Sequence, residues 1–300
     1  MVYTVTLNPA IDYIMHIGKL ERGSTNRSEQ EEIYFGGKGI NVSAVLSELG
    51  IRSTALGFIG GFTGEALAAA VRAKGIDADF IRLNGGCTRI NIKLKSGAET
   101  EINAKGPDIG SGDVDILMNK LDRLNDGDVL VLAGSVPGSV PCDIYERILE
   151  RVSPRGVRTV VDAEGELLRR VLKFGPYLIK PNRAELAGLI SSPVDTEDEV
   201  IRGAMKLCDM GARNVLVSLG GDGAILIDET GGVHIRSAHH GRLVNSVGAG
   251  DSMVAGFIAG MAMRGDFEYA LELGSAAGSA TAFSAGLADK KTIMALMPKT

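Results

Sequence analysis

Val244-Asn245-Ser246-Val247-Gly248-Ala249-Gly250-Asp251-Ser252-Met253-Val254-Ala255 is the stretch on which the reading of this 300-residue chain turns. Gly248 and Gly250 fall where a loop passes into an apolar helix rich in Ala and Gly, over about residues 252–263. The first backbone N–H groups of a helix have no partner within it and carry partial positive charge, so such a start attracts anions, above all phosphate. Glycines let the backbone come close to that anion because they lack a Cβ. Asp251 follows at once and sets a carboxylate beside the anion position. A carboxylate fixed there is what phosphoryl transfer needs to take the proton from an attacking hydroxyl. Gly-Asp before a helix is equally an ordinary helix start, so the rest of the chain has to decide.

Moving outward, short β-branched runs alternate with helical patterns. Strands are expected at 2–7, 54–59, 129–132, 159–161, 177–179 and 214–217. Helices are expected at 40–49, 64–73, 114–124, 144–152, 183–189, 197–210, 252–263 and 267–284. Strands without polar alternation, separated by helices, predict an α/β fold with a mostly parallel sheet covered on both faces, and ligands outside the C-terminal strand ends. Residues 31–35, 88–94 and 99–103 instead alternate polar with apolar, and Ser96-Gly97 forms a turn between the last two. These half-exposed strands predict a small accessory sheet over the main body.

Composition narrows the function. Apolar residues make up 45% and charged residues 23%, as in ordinary globular proteins, and the net charge is −5. No basic field is present to hold a nucleic acid. Tryptophan is absent and aromatics reach only 5%, which disfavours a base-stacking platform. Cys87, Cys142 and Cys208 are odd in number and far apart, as expected of free thiols in a reducing cytosol. With no signal-peptide pattern and no apolar run near membrane-spanning length, the sequence predicts a cytoplasmic protein without a membrane partner. His16, His234, His239 and His240 show no metal-ligand spacing.

Several further clusters carry possible chemistry. Asp12 follows the first strand closely and is expected at a C-terminal strand end, where a carboxylate can accept from two sugar hydroxyls; it reads more readily as a turn residue. Gly36-Gly37-Lys38-Gly39-Ile40-Asn41 is a glycine run with a lysine and an amide, suited to a phosphorylated polyol, and it is not a Walker A loop. Arg89, on an accessory strand, can pair phosphate through two hydrogen bonds, or can be a solvated edge charge. Asn182 and Glu185, three apart at a helix start, suit Mg²⁺ held through its waters and equally form a capping box. Ser218-Leu219-Gly220-Gly221-Asp222-Gly223 is a glycine turn between apolar strands, able to cradle a polyphosphate or simply to join a hairpin. The small residues at 274–280 can lie flat against an adenine or pack closely against a neighbouring helix.

The order of these motifs along the chain resembles the ribokinase-like sugar kinases of the PfkB family, essentially from residue 2 to residue 287. Stretches 36–42 and 88–102 are most similar to the branch of 1-phosphofructokinases, with the tagatose-6-phosphate kinases next. The resemblance implies one ribokinase-like kinase domain over 1–300, a β-sheet lid with strands near 12–18, 29–36 and 88–104, and a homodimer through that lid. It implies ATP and Mg²⁺ as cofactors and a sugar phosphate as acceptor. Asp251 would be the general base, and the backbone of Gly248, Ala249 and Gly250 the anion hole. Asp12, Gly36, Gly37, Lys38 and Asn41 would hold the sugar and Arg89 its phosphate, with Asn103 and Ser135 near. Lys180, Asn182, Ser218, Gly220, Gly221, Gly223 and Ser246 would serve the nucleotide, Ala276 and Ser279 its adenine, and Asn182 with Glu185 the Mg²⁺. Ser246 stands where many relatives carry Thr. A non-catalytic sugar-phosphate or nucleotide sensor is the reading from another class, and an intact Asp251 counts against it.

Overall fold

The computed structural model describes residues 1–298. The chain opens with β1 (Val2–Thr6), β2 (Ala10–His16) and β3 (Gln30–Gly36), then enters α1 (Lys38–Glu48). There follow β4 (Ser53–Gly60), α2 (Gly61–Ala73), the short β5 (Asp77–Ala78) and β6 (Ile81–Leu83), and the hairpin of β7 (Arg89–Ser96) and β8 (Ala98–Ile102). Helices and strands then alternate through α3 (Ser111–Leu121), β9 (Val129–Ala133), α4 (Ile144–Val152), β10 (Arg158–Asp162), α5 (Gly165–Val171), β11 (Leu178–Ile179) and α6 (Arg183–Ile190). The chain ends with α7 (Glu197–Asp209), β12 (Val215–Ser218), β13 (Ala224–Ile227), β14 (Val233–Arg236), α8 (Ala249–Arg264), α9 (Phe267–Ala282) and α10 (Lys290–Leu296).

The main sheet runs β14-β13-β12-β11-β10-β9-β1-β4-β5, with β6 also on β4. It is parallel except at β13 and β14, which add to β12 as antiparallel strands. Along the central strands successive residues point to opposite faces, and both faces are apolar. Leu130 and Leu132 of β9 pack among residues of α3 to α7, while Val131 and Ala133 pack against α1, α8 and α9. The sequence therefore reads as continuous hydrophobic runs, and helices cover both sides as predicted. From β1 the chain steps one way to β4 and later the other way, through β9 to β12. The gap between β1 and β9 is thus a topological switch point, where loops splay apart and leave a crevice.

Helices α8 and α9 meet unusually closely. A Cβ on Gly256 would stand 2.5 Å from the Leu273 carbonyl oxygen, and one on Gly260 2.5 Å from the Ala270 Cα. Of the small residues at 274–280, Gly274 and Gly278 serve this contact: a Cβ on them would stand 2.9 Å from the Met253 carbonyl oxygen and 3.1 Å from the Ala249 carbonyl oxygen. Ala276 is fully buried among the core residues of the body, which corrects its expected place beside an adenine. Ser279 is half-buried.

The second sheet has the order β3-β2-β7-β8, with β2 and β7 parallel and the outer pairs antiparallel. Its strands lie within a few residues of the predicted lid, and Gly97 makes the β7–β8 turn. In register, Asp12 faces Asn91 and Tyr34, and Lys93 faces Glu101. One face is therefore polar and carries Asp12, Arg89, Asn91 and Lys93. The opposite face carries Tyr13, Met15, Ile33, Ile90 and Ile102, of which Ile33 and Ile102 are 52% and 55% exposed. Asp12 corrects its expected position: it lies inside β2 of the lid, not at the end of β1.

The β13–β14 hairpin, which leads into the loop before α8, is tied by Asp228. Its buried carboxylate accepts from Thr230 N (2.7 Å), Thr230 Oγ1 (2.6 Å), Gly232 N (3.0 Å) and His234 Nε2 (2.7 Å). Burial pushes its pKa up, but the hydrogen bonds from Thr230, His234 and Gly232 outweigh that and bring it down to about 2. A carboxyl with a lowered folded pKa stabilises above its unfolded value, and that stability is lost as pH falls through the folded value. Asp228→Ala should lower the melting temperature at pH 7 by roughly 3–6 °C. The difference from wild type should close between about pH 4 and about pH 2. Melting curves across pH check this, and a gap undiminished at the acid end would mean the ionised carboxylate is not its source.

Candidate active site

Helix α8 starts at Gly248, whose φ of 80° is left-handed, and no side chain caps it. The Ala249 N–H bonds to the Ser246 carbonyl (3.2 Å), so of the three residues expected to form the anion hole this amide already has a partner. Asp251, in the first turn, is only 5% exposed. Its Oδ2 accepts from Asn41 Nδ2 at 2.8 Å, joining the first turn of α1 to the first turn of α8. Burial pushes its pKa up, and the nearby Asp162 carboxylate pushes it further. Asn41, Lys38 and Lys180 pull it back, and the outcome is about 6.

Asp162, the last residue of β10, was not singled out from the sequence. Its carboxylate is buried, with Lys180 Nζ 3.4 Å from Oδ1 and Lys38 Nζ 3.6 Å from Oδ2. Oδ2 has no hydrogen-bond partner. Glu164 is 3.7 Å from the same Lys38 Nζ. Burial pushes the Lys38 ammonium down, but Asp162, Asp251, Glu164 and Glu185 together raise it, which secures its charge. The signal for Asp162 was present: an Asp closing an apolar parallel strand stands where α/β folds place ligands.

The crevice at the switch point is a cavity of about 410 Å³ lined by Thr6, Asn8, Lys38, Arg89, Ser135 and Glu164 among others. Arg89 is no solvated edge charge: it is half-buried, and Nε donates to the Asn8 carbonyl at 3.2 Å. A second cavity of about 320 Å³ lies between lid and body and holds Asp12, Gly36, Asn41, Tyr34 and Lys93. The expected sugar residues thus fall into two neighbouring groups, bridged by Gly36 and Gly37 at the junction of β3 and α1. Asn103 is exposed just beyond β8 and lines neither cavity.

Lys180 closes β11 buried beside Asp162. Asn182 and Glu185 form the capping box: Asn182 Oδ1 accepts from Glu185 N and Glu185 Oε2 from Asn182 N, both at 2.8 Å. Asn182 also bridges to Ser218, at the end of β12. Gly220 and Gly221 sit in a single helical turn before Gly223, on the surface next to that bridge. The loops after β11 and β12 therefore lie side by side, at the ends of adjacent parallel strands. Among the described residues no three His, Cys, Asp or Glu side chains converge on one point. No helix among the described residues is long and apolar enough to cross a membrane.

The chain matches the model of the pfkB family of carbohydrate kinases over residues 5–293. It is 44% identical to a 1-phosphofructokinase of Bacillus subtilis, covering 100% of this chain and 98% of that protein. It is 38% identical to a D-tagatose-1-phosphate kinase of Bacillus licheniformis, over 96% and 95% of the two chains. Phosphofructokinase-2 from Escherichia coli, solved in complex with substrates and products, superposes with a TM-score of 0.92 at 27% identity, over 98% of this chain and 97% of that one. With its switch-point crevice and buried Asp251 set in a fold shared end to end with these proteins, the chain belongs to the pfkB family of carbohydrate kinases.

Proposed function

We propose that the protein transfers the γ-phosphoryl group of ATP to fructose 1-phosphate, giving fructose 1,6-bisphosphate and ADP. The observation that carries this is the buried Asp251 carboxylate, held by Asn41 at an uncapped helix start and within the field of Lys38, which lines the cavity that also presents Arg89 and Ser135. Asp251 takes the proton of the acceptor's free primary hydroxyl, whose oxygen attacks the γ-phosphorus as the bond to the β-phosphate oxygen breaks. Gly248 and Gly250 offer backbone close to the transferred group. Asp12 and Asn41 take sugar hydroxyls and Arg89 the acceptor's phosphate. Asn182 and Glu185 would hold Mg²⁺ through its waters; when bound, that ion offsets phosphate charge. Lys180 and the loops at Ser218, Gly220, Gly221, Gly223 and Ser246 would take the nucleotide. The Bacillus licheniformis relative favours one second reading, tagatose 1-phosphate as an alternative acceptor at the same site.

The apolar lid face supports a homodimer. Ile33, Ile90 and Ile102 are exposed on one face of a four-stranded sheet whose other face is polar, an arrangement that a second copy of the lid would cover. Light scattering should report twice the 31.5 kDa of one chain, and a monomer at micromolar concentration overturns the pairing.

Steady-state kinetics test the acceptor. Fructose 1-phosphate should exceed fructose 6-phosphate, tagatose 6-phosphate and tagatose 1-phosphate in kcat/KM, and a tenfold advantage for any of the others replaces it. Arg89→Ala should cost roughly ten- to 150-fold in kcat/KM for the sugar phosphate, the value of one charge-assisted pair, with KM for ATP unchanged within a few-fold.

Asp251 must be ionised to act, so kcat should fall as pH drops below about 6. Asp162→Asn removes a neighbouring negative charge and should move that limb to lower pH. Asp251→Asn should reduce kcat by roughly 10²–10⁴. A pH–rate profile with the same acid limb in wild type and Asp162→Asn would show that Asp162 does not set the base.

A further inference from the structure

The lid carries two opposite charges that the acceptor needs separately, and a neutral side chain stands between them. Arg89 and Asp12 occupy diagonal positions on the paired strands β7 and β2, since Ala10 faces Arg89 and Asp12 faces Asn91. Diagonal neighbours are within reach of a long side chain. Both groups are half-buried on the polar lid face, where water screens them less than at an open surface. Left alone, the guanidinium and the carboxylate would close into a two-pronged ion pair and occupy each other's hydrogen-bonding edges.

Instead, each turns to Asn91, which is 7% exposed. Asn91 Nδ2 donates to Asp12 Oδ1 at 2.8 Å, and Asn91 Oδ1 accepts from an Arg89 terminal nitrogen at a longer 3.4 Å. The Asn8 carbonyl draws Arg89 Nε away on the far side. The orientation of the amide follows from its neighbours: turned over, it would set oxygen against the carboxylate and NH₂ against the guanidinium. The amide satisfies one edge of each charge and neutralises neither.

We infer that Asn91 is a positioning residue that keeps Asp12 and Arg89 apart, so that the carboxylate stays open to sugar hydroxyls and the guanidinium to the acceptor's phosphate. The inference rests on the proposed roles of those two residues. It goes beyond them by assigning the acceptor's double requirement, hydroxyls and a phosphate at a set separation, to a side chain that need touch neither. An aspartate at this position would capture Arg89 and repel Asp12; an alanine would let the two charges meet.

A double-mutant cycle of Asn91→Ala with Arg89→Ala, read as KM and kcat for fructose 1-phosphate and for ATP, tests it. Asn91→Ala should raise KM for the sugar phosphate about tenfold or more, with kcat at saturation within about threefold and KM for ATP unchanged. In the Arg89→Ala background, where no guanidinium is left to collapse onto Asp12, the same substitution should cost less than about threefold. That non-additivity is the signature of a spacer, because residues sharing partners couple while a loss of local packing adds. Asn91→Ser, smaller but still polar, guards against a folding defect, and an unchanged melting temperature certifies the comparison. Equal costs in both backgrounds, or no effect of Asn91→Ala where Arg89→Ala raises KM, overturns the spacer alone. If Arg89→Ala itself leaves KM for the sugar phosphate unchanged, the acceptor assignment falls and the spacer with it.

Discussion

Two buried carboxylates within each other's field are costly, and the site depends on how that cost is met. Asp162 and Asp251 come from the end of β10 and the start of α8, and burial together with the Asp162 charge makes Asp251 harder to ionise. Lys38 from α1 and Lys180 from the end of β11 supply two positive charges against them. The four residues come from four elements spread along the chain, so the charge balance also fixes α1, β10, β11 and α8 around one crevice. Removing one partner of such a set leaves a buried charge uncompensated, which is far more damaging than losing a surface pair. Among these four side chains the charges are even before substrates arrive, and Glu164 adds a further negative charge beside Lys38. In the proposed reaction each phosphate that enters adds negative charge, which Arg89 and a divalent ion would offset.

How much of this was legible in the sequence varied with the kind of signal. The start of α8 was readable because a glycine pair followed by an acid before a helix has a local physical meaning that no distant contact alters. Continuous apolar runs located the central strands for the same reason. Asp12 was expected at a strand end of the main sheet and lies instead within β2. Only Leu7, Asn8 and Pro9 separate β1 from β2, and nothing in those residues says that the chain leaves one sheet for another. The small residues of α9 supported two readings, and the closeness of Gly256 and Gly260 on α8 shows the packing that spacing alone left open. Asn182 and Glu185 likewise form the capping box that the spacing allowed, while Asn182 also lies against Ser218, a contact 36 residues away that spacing cannot reveal. Asp162 and Asn91 were passed over because their meaning is relational: one matters through two lysines, the other through an arginine and an aspartate.

The division of labour between the two sheets follows from their faces. In the proposed reaction the body supplies the groups that would act on the reacting atoms, in a buried setting where hydrogen bonds and charges are strong. The lid supplies Asp12 and Arg89 from a polar face stiffened by cross-strand pairs, and turns an apolar face outward. An acceptor that satisfies the lid but not the body would bind without reacting. One that reaches only the body would lack orientation, and orientation is worth as much as chemical activation in a bimolecular transfer.

The chain connects the two sheets in a way that couples these tasks. β3 ends at Gly36 and α1 begins at Lys38, so a single residue, Gly37, separates the lid from the helix that carries Lys38 and Asn41. On the other side, the Asn8 carbonyl that anchors Arg89 and the Asn8 side chain that donates to the Lys105 carbonyl sit between β1 and β2. The lid is therefore joined by a few residues of chain to Asn41, which holds Asp251, and to Asn8, which holds Arg89. Water reaching the γ-phosphoryl group would compete with the sugar hydroxyl for the same base, and shielding the crevice matters as much as activating the nucleophile. In the proposed reaction, a lid joined to both anchors would make acceptor binding and that shielding parts of one event.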